Sequence, residues 1–153
     1  MKLQRSKKIL AIASGGGHWI QLLRLRPGFE NLDVIYITVS KNYLNDISNE
    51  KAFIVNDANQ WEKWQVLKLC FNMFRLVLKI RPNYVISTGA APGFFGILFG
   101  KLFGAKTVWV DSIANVKEIS LSGRLASRFC DHRFTQWKEL DGKNGFVYKG
   151  AVI

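Results

Sequence analysis

The sequence predicts a single α/β domain, residues 1–153, built on a parallel sheet with helices on both faces. Three observations carry this expectation. Short apolar, β-branched runs alternate along the chain with amphipathic runs at helical spacing, the pattern of successive βαβ units. Two strand-to-helix junctions are marked by glycine, Ser14-Gly15-Gly16-Gly17-His18 and Thr88-Gly89-Ala90-Ala91-Pro92-Gly93. A length of 153 residues with 48% apolar content suits one domain that buries a real core.

The elements follow in order. Ile9-Leu10-Ala11-Ile12-Ala13 is the first strand, and Trp19 to Leu25 the first helix, ended by Arg26-Pro27-Gly28. Asp33 to Val39 is a second β-branched strand. Ser40 to Asn49 is polar and Asn-rich, a loop or a short irregular helix. Ala52 to Val55 is a short third strand, and residues 56–60 are a loop leading to an N-cap region. Trp61 to Ile80 is the longest helix. Its residues Gln65, Lys68, Asn72, Arg75 and Lys79 step by three or four and form one narrow polar stripe. The remaining apolar arc is wider than one core face requires. Either the helix packs between the sheet and a neighbouring helix, or part of the arc touches lipid or a partner subunit.

Arg81-Pro82-Asn83 stops that helix, and Tyr84 to Ser87 is the fourth strand. The next helix, Phe94 to Phe103, carries Gly96, Gly100 and Gly104 on a face that permits close approach to the sheet or another helix. Lys101 lies on its apolar side and has a stem long enough to snorkel. Thr107 to Asp111 is the fifth strand, ending in an acid; residues 112–119 are a loop. Ser120 to Cys130 is a capped helix and His132 to Thr135 a sixth strand. Lys143-Asn144-Gly145 turns into Phe146-Val147-Tyr148, and the apolar run Val147 to Ile153 is a candidate docking segment for a partner.

Right-handed crossovers between parallel strands place the turns after the first, fourth and fifth strands at the carboxyl edge of the sheet. The expected fold is therefore Rossmann-like, with residues 15–18, 88–93 and 111–115 converging on one crevice. In the first turn, glycines admit a ligand close to the backbone, and the following helix offers free N–H groups and a positive dipole end. That is the chemistry of an anion site. The pattern is neither G-x-G-x-x-G nor a P-loop, so a plain packing turn is the other reading.

Lys and Arg exceed Asp and Glu by 22 − 11, a net charge of +11. Such a balance favours anionic partners: nucleic acid, acidic headgroups or phosphorylated substrates. Five Trp and eleven Phe add a membrane-surface character. No RNA motif accompanies the charge, and no ribose-binding acid is clearly placed after the second strand, so nucleic acid is not the expected partner. Cys70 and Cys130 lie in apolar segments and read as reduced core residues of a cytosolic protein, with no metal-ligand spacing. The basic start, Lys2 to Lys8, is followed by an apolar run shorter than the ~7–15 residues of a signal-peptide core. No run reaches the ~18–20 apolar residues of a membrane span.

Several motifs in order bear a family likeness: Ser14-Gly15-Gly16-Gly17-His18; Arg81-Pro82-Asn83-Tyr84-Val85-Ile86-Ser87-Thr88-Gly89; Asp111-Ser112-Ile113-Ala114-Asn115-Val116; Ser120-Leu121-Ser122-Gly123-Arg124-Leu125; Asp131 to Trp137; and Tyr148-Lys149-Gly150. As a set they resemble the acceptor-side subunit of two-subunit UDP-sugar glycosyltransferases, from the dolichol-linked N-acetylglucosaminyltransferase to bacterial capsule and exopolysaccharide counterparts. That subunit is similar to the N-terminal half of the peptidoglycan lipid-linked N-acetylglucosaminyltransferase, a GT-B enzyme. Two departures stand out: the family's Glu is Asp111 here, and its Arg is Asn115.

The resemblance implies a GT-B N-terminal-type half domain that moves a sugar, N-acetylglucosamine or another hexose, from a UDP-sugar to a lipid-diphosphate-linked acceptor. The donor-binding catalytic subunit would hold the UDP-sugar, and this chain the acceptor and an acidic membrane surface, peripherally, on the cytoplasmic face of the plasma membrane. No cofactor or metal is implied. His18 and Asp111 would be catalytic, with His18 as general base or phosphate contact, and Asp111 orienting it, binding a sugar hydroxyl or serving as base. Ser14, Gly15, Gly16, Gly17, Gly89, Ser112 and Asn115 would line the acceptor diphosphate. Lys2, Arg5, Lys7, Lys8, Arg75, Lys79 and Lys101 would meet acidic lipid. The alternative is a non-catalytic scaffold that recruits the donor subunit to the membrane.

Overall fold

The computed structural model describes residues 6–47, 49–59 and 61–152, in which strands and helices alternate as expected. They run β1 (Lys8–Ile12), α1 (Gly17–Arg24), β2 (Asp33–Thr38), β3 (Lys51–Ile54), α2 (Lys63–Ile80), β4 (Tyr84–Ser87), α3 (Ala90–Leu102), β5 (Lys106–Val110), α4 (Leu121–Ala126), β6 (His132–Thr135) and β7 (Val147–Tyr148). The polar stretch after β2 winds into a 3₁₀ turn, Lys41–Ile47. Lys2 and Arg5 lie outside the described residues.

The strands form one sheet in the order β3-β2-β1-β4-β5-β6-β7, with every pairing parallel. This is the doubly wound, Rossmann-like arrangement, whose strand order reverses direction beside β1. β1 is the buried centre, and its alternation divides the core. Leu10 and Ile12 point into a cluster with Leu69, Met73, Val77 and Ile97. Ala11 and Ala13 point the other way, to Trp19, Leu22 and Tyr36. The chain therefore needs apolar residues on both faces of its central strand, which explains the unbroken run at its start.

Two sequence expectations are corrected by packing. Helix α3 starts at Ala90, not Phe94, and its small face lies on the sheet: a methyl on Gly96 would meet Ile12 Cδ1 at 2.0 Å, and one on Gly100 would meet Val85 Cγ2 at 2.5 Å. Lys101 is half-exposed, and its ammonium is paired with the Asp131 carboxylate. α4 is also shorter than expected, ending at Ala126, with the Ser120 hydroxyl accepting from Gly123 N–H as its cap. Cys130 is free, and burial pushes its thiol up to about 12, which keeps it un-ionised.

The wide apolar arc of α2 is covered on one side only. Leu69, Met73, Val77 and Ile80 are buried, while Trp64, Leu67, Phe71 and Leu78 are 83%, 59%, 59% and 38% exposed. The exposed set lies on the face opposite the core. Among the described residues no helix is long and apolar enough to cross a membrane.

Candidate functional site

The carboxyl edge of β1 and β4 brings the first two of the three expected turns into direct contact, and the third is tied to α1 through Gln21. Gly16 caps α1 with φ 56° and ψ −131°, a conformation that an L side chain rarely adopts. The N–H groups of Gly17, His18 and Trp19 are then the first of α1, with no carbonyl one turn back to accept them; the helical pattern begins with Ile20 N–H donating to Gly16.

His18 is held from both ends by the residue before Gly89. Its Nδ1 lies 2.8 Å from the Thr88 carbonyl oxygen. A carbonyl only accepts, so Nδ1 carries the proton and Nε2 keeps its lone pair in the neutral ring. The Thr88 hydroxyl donates in return to the His18 carbonyl at 2.7 Å. Gly89 makes room for the ring, since a methyl there would lie 2.3 Å from His18 Cε1, at φ 144°. Gly89 is thus a seat for the imidazole, a role that the sequence did not show. Ser14 is buried, and its carbonyl accepts from the Thr38 hydroxyl at 2.9 Å, which ties the turn to the end of β2.

A residue absent from the sequence reading covers the glycine turn. The Tyr43 hydroxyl accepts from Gly16 N–H at 2.8 Å, and a methyl on Gly15 would meet it at 2.9 Å. Gly16 therefore does not offer its N–H to a ligand while Tyr43 is in place. An isolated tyrosine in a polar, Asn-rich stretch gives no sequence signal for this contact.

The third turn folds inward. Asp111 is 1% exposed. Its Oδ1 accepts from Trp109 Nε1 at 3.0 Å and from the Ser120 hydroxyl, and its Oδ2 from Asn115 Nδ2 and Ser120 N–H, each at 3.0 Å. Asn115 thus spends its amide on Asp111, and the pair fastens the loop between β5 and α4. His18 donates no hydrogen bond to Asp111, so the expectation that Asp111 orients it is corrected; the Thr88 carbonyl does so.

Ser112 belongs to a second buried network. Its Oγ accepts from Gln21 Nε2 and Ala114 N–H, each at 3.2 Å. Gln136 Nε2 donates to Gln21 Oε1 at 2.6 Å and to the Asp111 carbonyl at 2.9 Å, and Gln136 Oε1 accepts from Val152 N–H at 2.8 Å. This network joins α1, the β5 loop, the end of β6 and the apolar tail, which is docked on its own domain at Val152. Gln21 stands three residues beyond His18, a helical spacing that would have drawn notice to it.

A family model described as "Oligosaccharide biosynthesis protein Alg14 like" matches residues 64–152. The "UDP-N-acetylglucosamine transferase subunit ALG14" of Mus musculus is 33% identical, over 98% of this chain and 85% of the relative. Its Homo sapiens counterpart is 24% identical over the same shares. The family description names oligosaccharide biosynthesis, and neither it nor these relatives' names mention the capsule or exopolysaccharide synthesis that the sequence suggested. Among solved structures, Acinetobacter baumannii MurG superposes with a TM-score of 0.76 at 15% identity, over 93% of this chain and 45% of that one. UDP-N-acetylglucosamine 2-epimerase from Rickettsia bellii gives 0.70 at 13%, over 96% and 45%. The chain spans under half of either structure, and at these identities the likeness is one of fold.

Proposed function

The chain belongs to the Alg14 family, and from that premise we propose that it is the acceptor- and membrane-binding subunit of a two-subunit glycosyltransferase. In this reading a donor-binding catalytic subunit presents a UDP-sugar, N-acetylglucosamine in the named relatives. The acceptor is a sugar linked through diphosphate to a lipid. Its diphosphate sits at the open N-terminus of α1, on the N–H groups of Gly17 and His18.

The observation that carries the reading is the seated imidazole, with Nδ1 donated to Thr88 and Nε2 free beside the helix start. As the acceptor hydroxyl attacks the sugar's anomeric carbon, Nε2 takes the hydroxyl proton. The new carbon–oxygen bond forms as the bond to UDP breaks, and UDP leaves with its electron pair. Asp111 acts at a distance by fixing the β5 loop, and Ser112 and Asn115 are positioning residues with it.

The exposed face of α2 is proposed to meet the membrane. Trp64, Leu67, Phe71 and Leu78 form its apolar stripe, and Lys68, Arg75 and Lys79 run alongside. The Arg75 guanidinium lies 5.7 Å from the Phe71 ring centroid, a cation held next to an apolar anchor. The association is peripheral, on the cytoplasmic face.

The test is transfer from radiolabelled UDP-N-acetylglucosamine to a lipid-diphosphate acceptor by the chain co-purified with its donor subunit. His18→Ala is expected to lower turnover by about 10²–10⁴-fold with the complex intact. A second reading, a non-catalytic scaffold, draws on the inward commitment of Asp111, Ser112 and Asn115. Wild-type turnover in His18→Ala and Gly16→Val would decide for it.

A further inference from the structure

Three neighbouring segments hold α1 along its length, through residues three apart. His18 meets the turn after β4 at Thr88, Gln21 meets the loop after β5, and Arg24 donates to the Val152 carbonyl at 3.3 Å. In the middle contact Gln21 and Gln136, each 4% exposed, are hydrogen-bonded to each other. A buried amide pair carries a desolvation cost that an apolar pair avoids. The helix already buries Trp19 and Leu22 in the core. Burial alone therefore does not call for the amides; what they add is direction.

Their partners fix how each amide lies. Gln136 Nε2 donates to the Asp111 carbonyl at 2.9 Å, and Gln136 Oε1 accepts from Val152 N–H at 2.8 Å. A flipped amide would set oxygen against carbonyl oxygen and nitrogen against N–H, so one orientation fits. Gln21 Oε1 accepts from Gln136 Nε2 at 2.6 Å and from Ile113 N–H at 3.2 Å, and its Nε2 donates to Ser112 Oγ at 3.2 Å. Helix α1 is eight residues long, about two turns. Apolar contacts are non-directional and let so short a helix roll about its axis, whereas hydrogen bonds weaken steeply with angle. Such a roll would swing His18, one turn before Gln21, off the Thr88 carbonyl.

We propose that Gln21 and Gln136 are positioning residues for the His18 imidazole. The amide pair sets the rotation of α1, and the tail locks the pair through Val152 N–H. The ring is thereby held with Nδ1 on Thr88 and Nε2 open. This role rests on the reading of His18 as the base.

The test reads the ring directly. A His132→Gln chain leaves His18 as the sole histidine. At about pH 8, above the ordinary histidine range, the NMR signals of its two ring nitrogens should stand far apart, as in one fixed tautomer. Gln21→Leu and Gln136→Leu should draw them together as the ring exchanges tautomers. In the complex with the donor subunit both should lower kcat by about tenfold or more, with KM for UDP-N-acetylglucosamine within about twofold of the wild type. Glutamate variants separate position from polarity. Gln21→Glu still accepts from Ile113 N–H and Gln136 Nε2, and the Ser112 hydroxyl turns to donate, so signals and turnover should stay near wild type. Gln136→Glu sets a carboxylate oxygen against the Asp111 carbonyl and should fail as Gln136→Leu does. Val152→Pro deletes one N–H on the tail and should also narrow the separation, which keeps the relay testable if a leucine variant does not fold. Fixed ring signals in Gln21→Leu or Val152→Pro, or equal behaviour of the two glutamate variants, would overturn the relay. A ring that loosens as described while His18→Ala turns over at the wild-type rate would sink the base and leave the relay standing.

Discussion

The imidazole seat is the point where one atom decides the outcome. Gly89→Ala adds a methyl 2.3 Å from His18 Cε1 at a φ that alanine rarely adopts. The ring must leave Thr88 or the β4–α3 turn must shift. The expected result is turnover as low as that of His18→Ala and a loss of about 1–3 kcal/mol of stability, measured by transfer assay and denaturant unfolding. Asp111→Ala should behave differently. It strands the Trp109 indole, the Ser120 N–H and the Asn115 amide in a buried loop, so stability should fall by about 3 kcal/mol or more. A variant that melts normally and fails only in transfer would return Asp111 to chemistry. The sequence showed His18 because a glycine turn frames it. It misplaced Asp111 because an acid at the end of a strand looks the same whether it faces a crevice or the backbone of Ser120, nine residues on.

Among the elements, α2 is where periodicity spoke clearly and then stopped. The polar stripe was legible, and so was the excess of apolar surface. Which part of that surface is covered depends on α3 and the sheet, which a single helix's sequence does not contain. The answer, a buried face through Met73 and an opposite face through Trp64 and Phe71, gives a direct test. Trp64→Ser with Phe71→Ser should leave the melting temperature unchanged, because both side chains are solvent-exposed. Flotation with anionic vesicles should fall sharply for the double variant. Raising the salt should weaken the wild type through its basic stripe, since surface attraction is screened beyond about 10 Å at 0.1 M. Undiminished flotation of the double variant would place the membrane contact elsewhere.

For the whole molecule, topology was readable because alternating strand and helix patterns with right-handed crossovers leave few arrangements. What escaped were the long-range ties between elements. The clearest joins the end of α3, the start of β5 and the start of β6 through Asp131. Its carboxylate accepts from Lys101 Nζ, from Thr107 N–H at 2.9 Å and from the Thr107 hydroxyl at 3.1 Å. The Lys101 hydrogen bond, chiefly, holds the Asp131 carboxyl at about 2, below its ordinary 3.8. A carboxyl depressed in the folded state binds fewer protons there than in the unfolded chain. Its contribution to stability is therefore complete above the ordinary value and fades as pH falls from about 4 towards 2. Asp131→Asn should be less stable than the wild type at neutral pH, and the gap should close across that window. The net positive charge, which grows as other carboxylates protonate, destabilises both proteins alike and drops out of the difference. Denaturant unfolding of both proteins between pH 7 and about 2 measures this. Two curves that stay parallel throughout would show that the tie is not electrostatic.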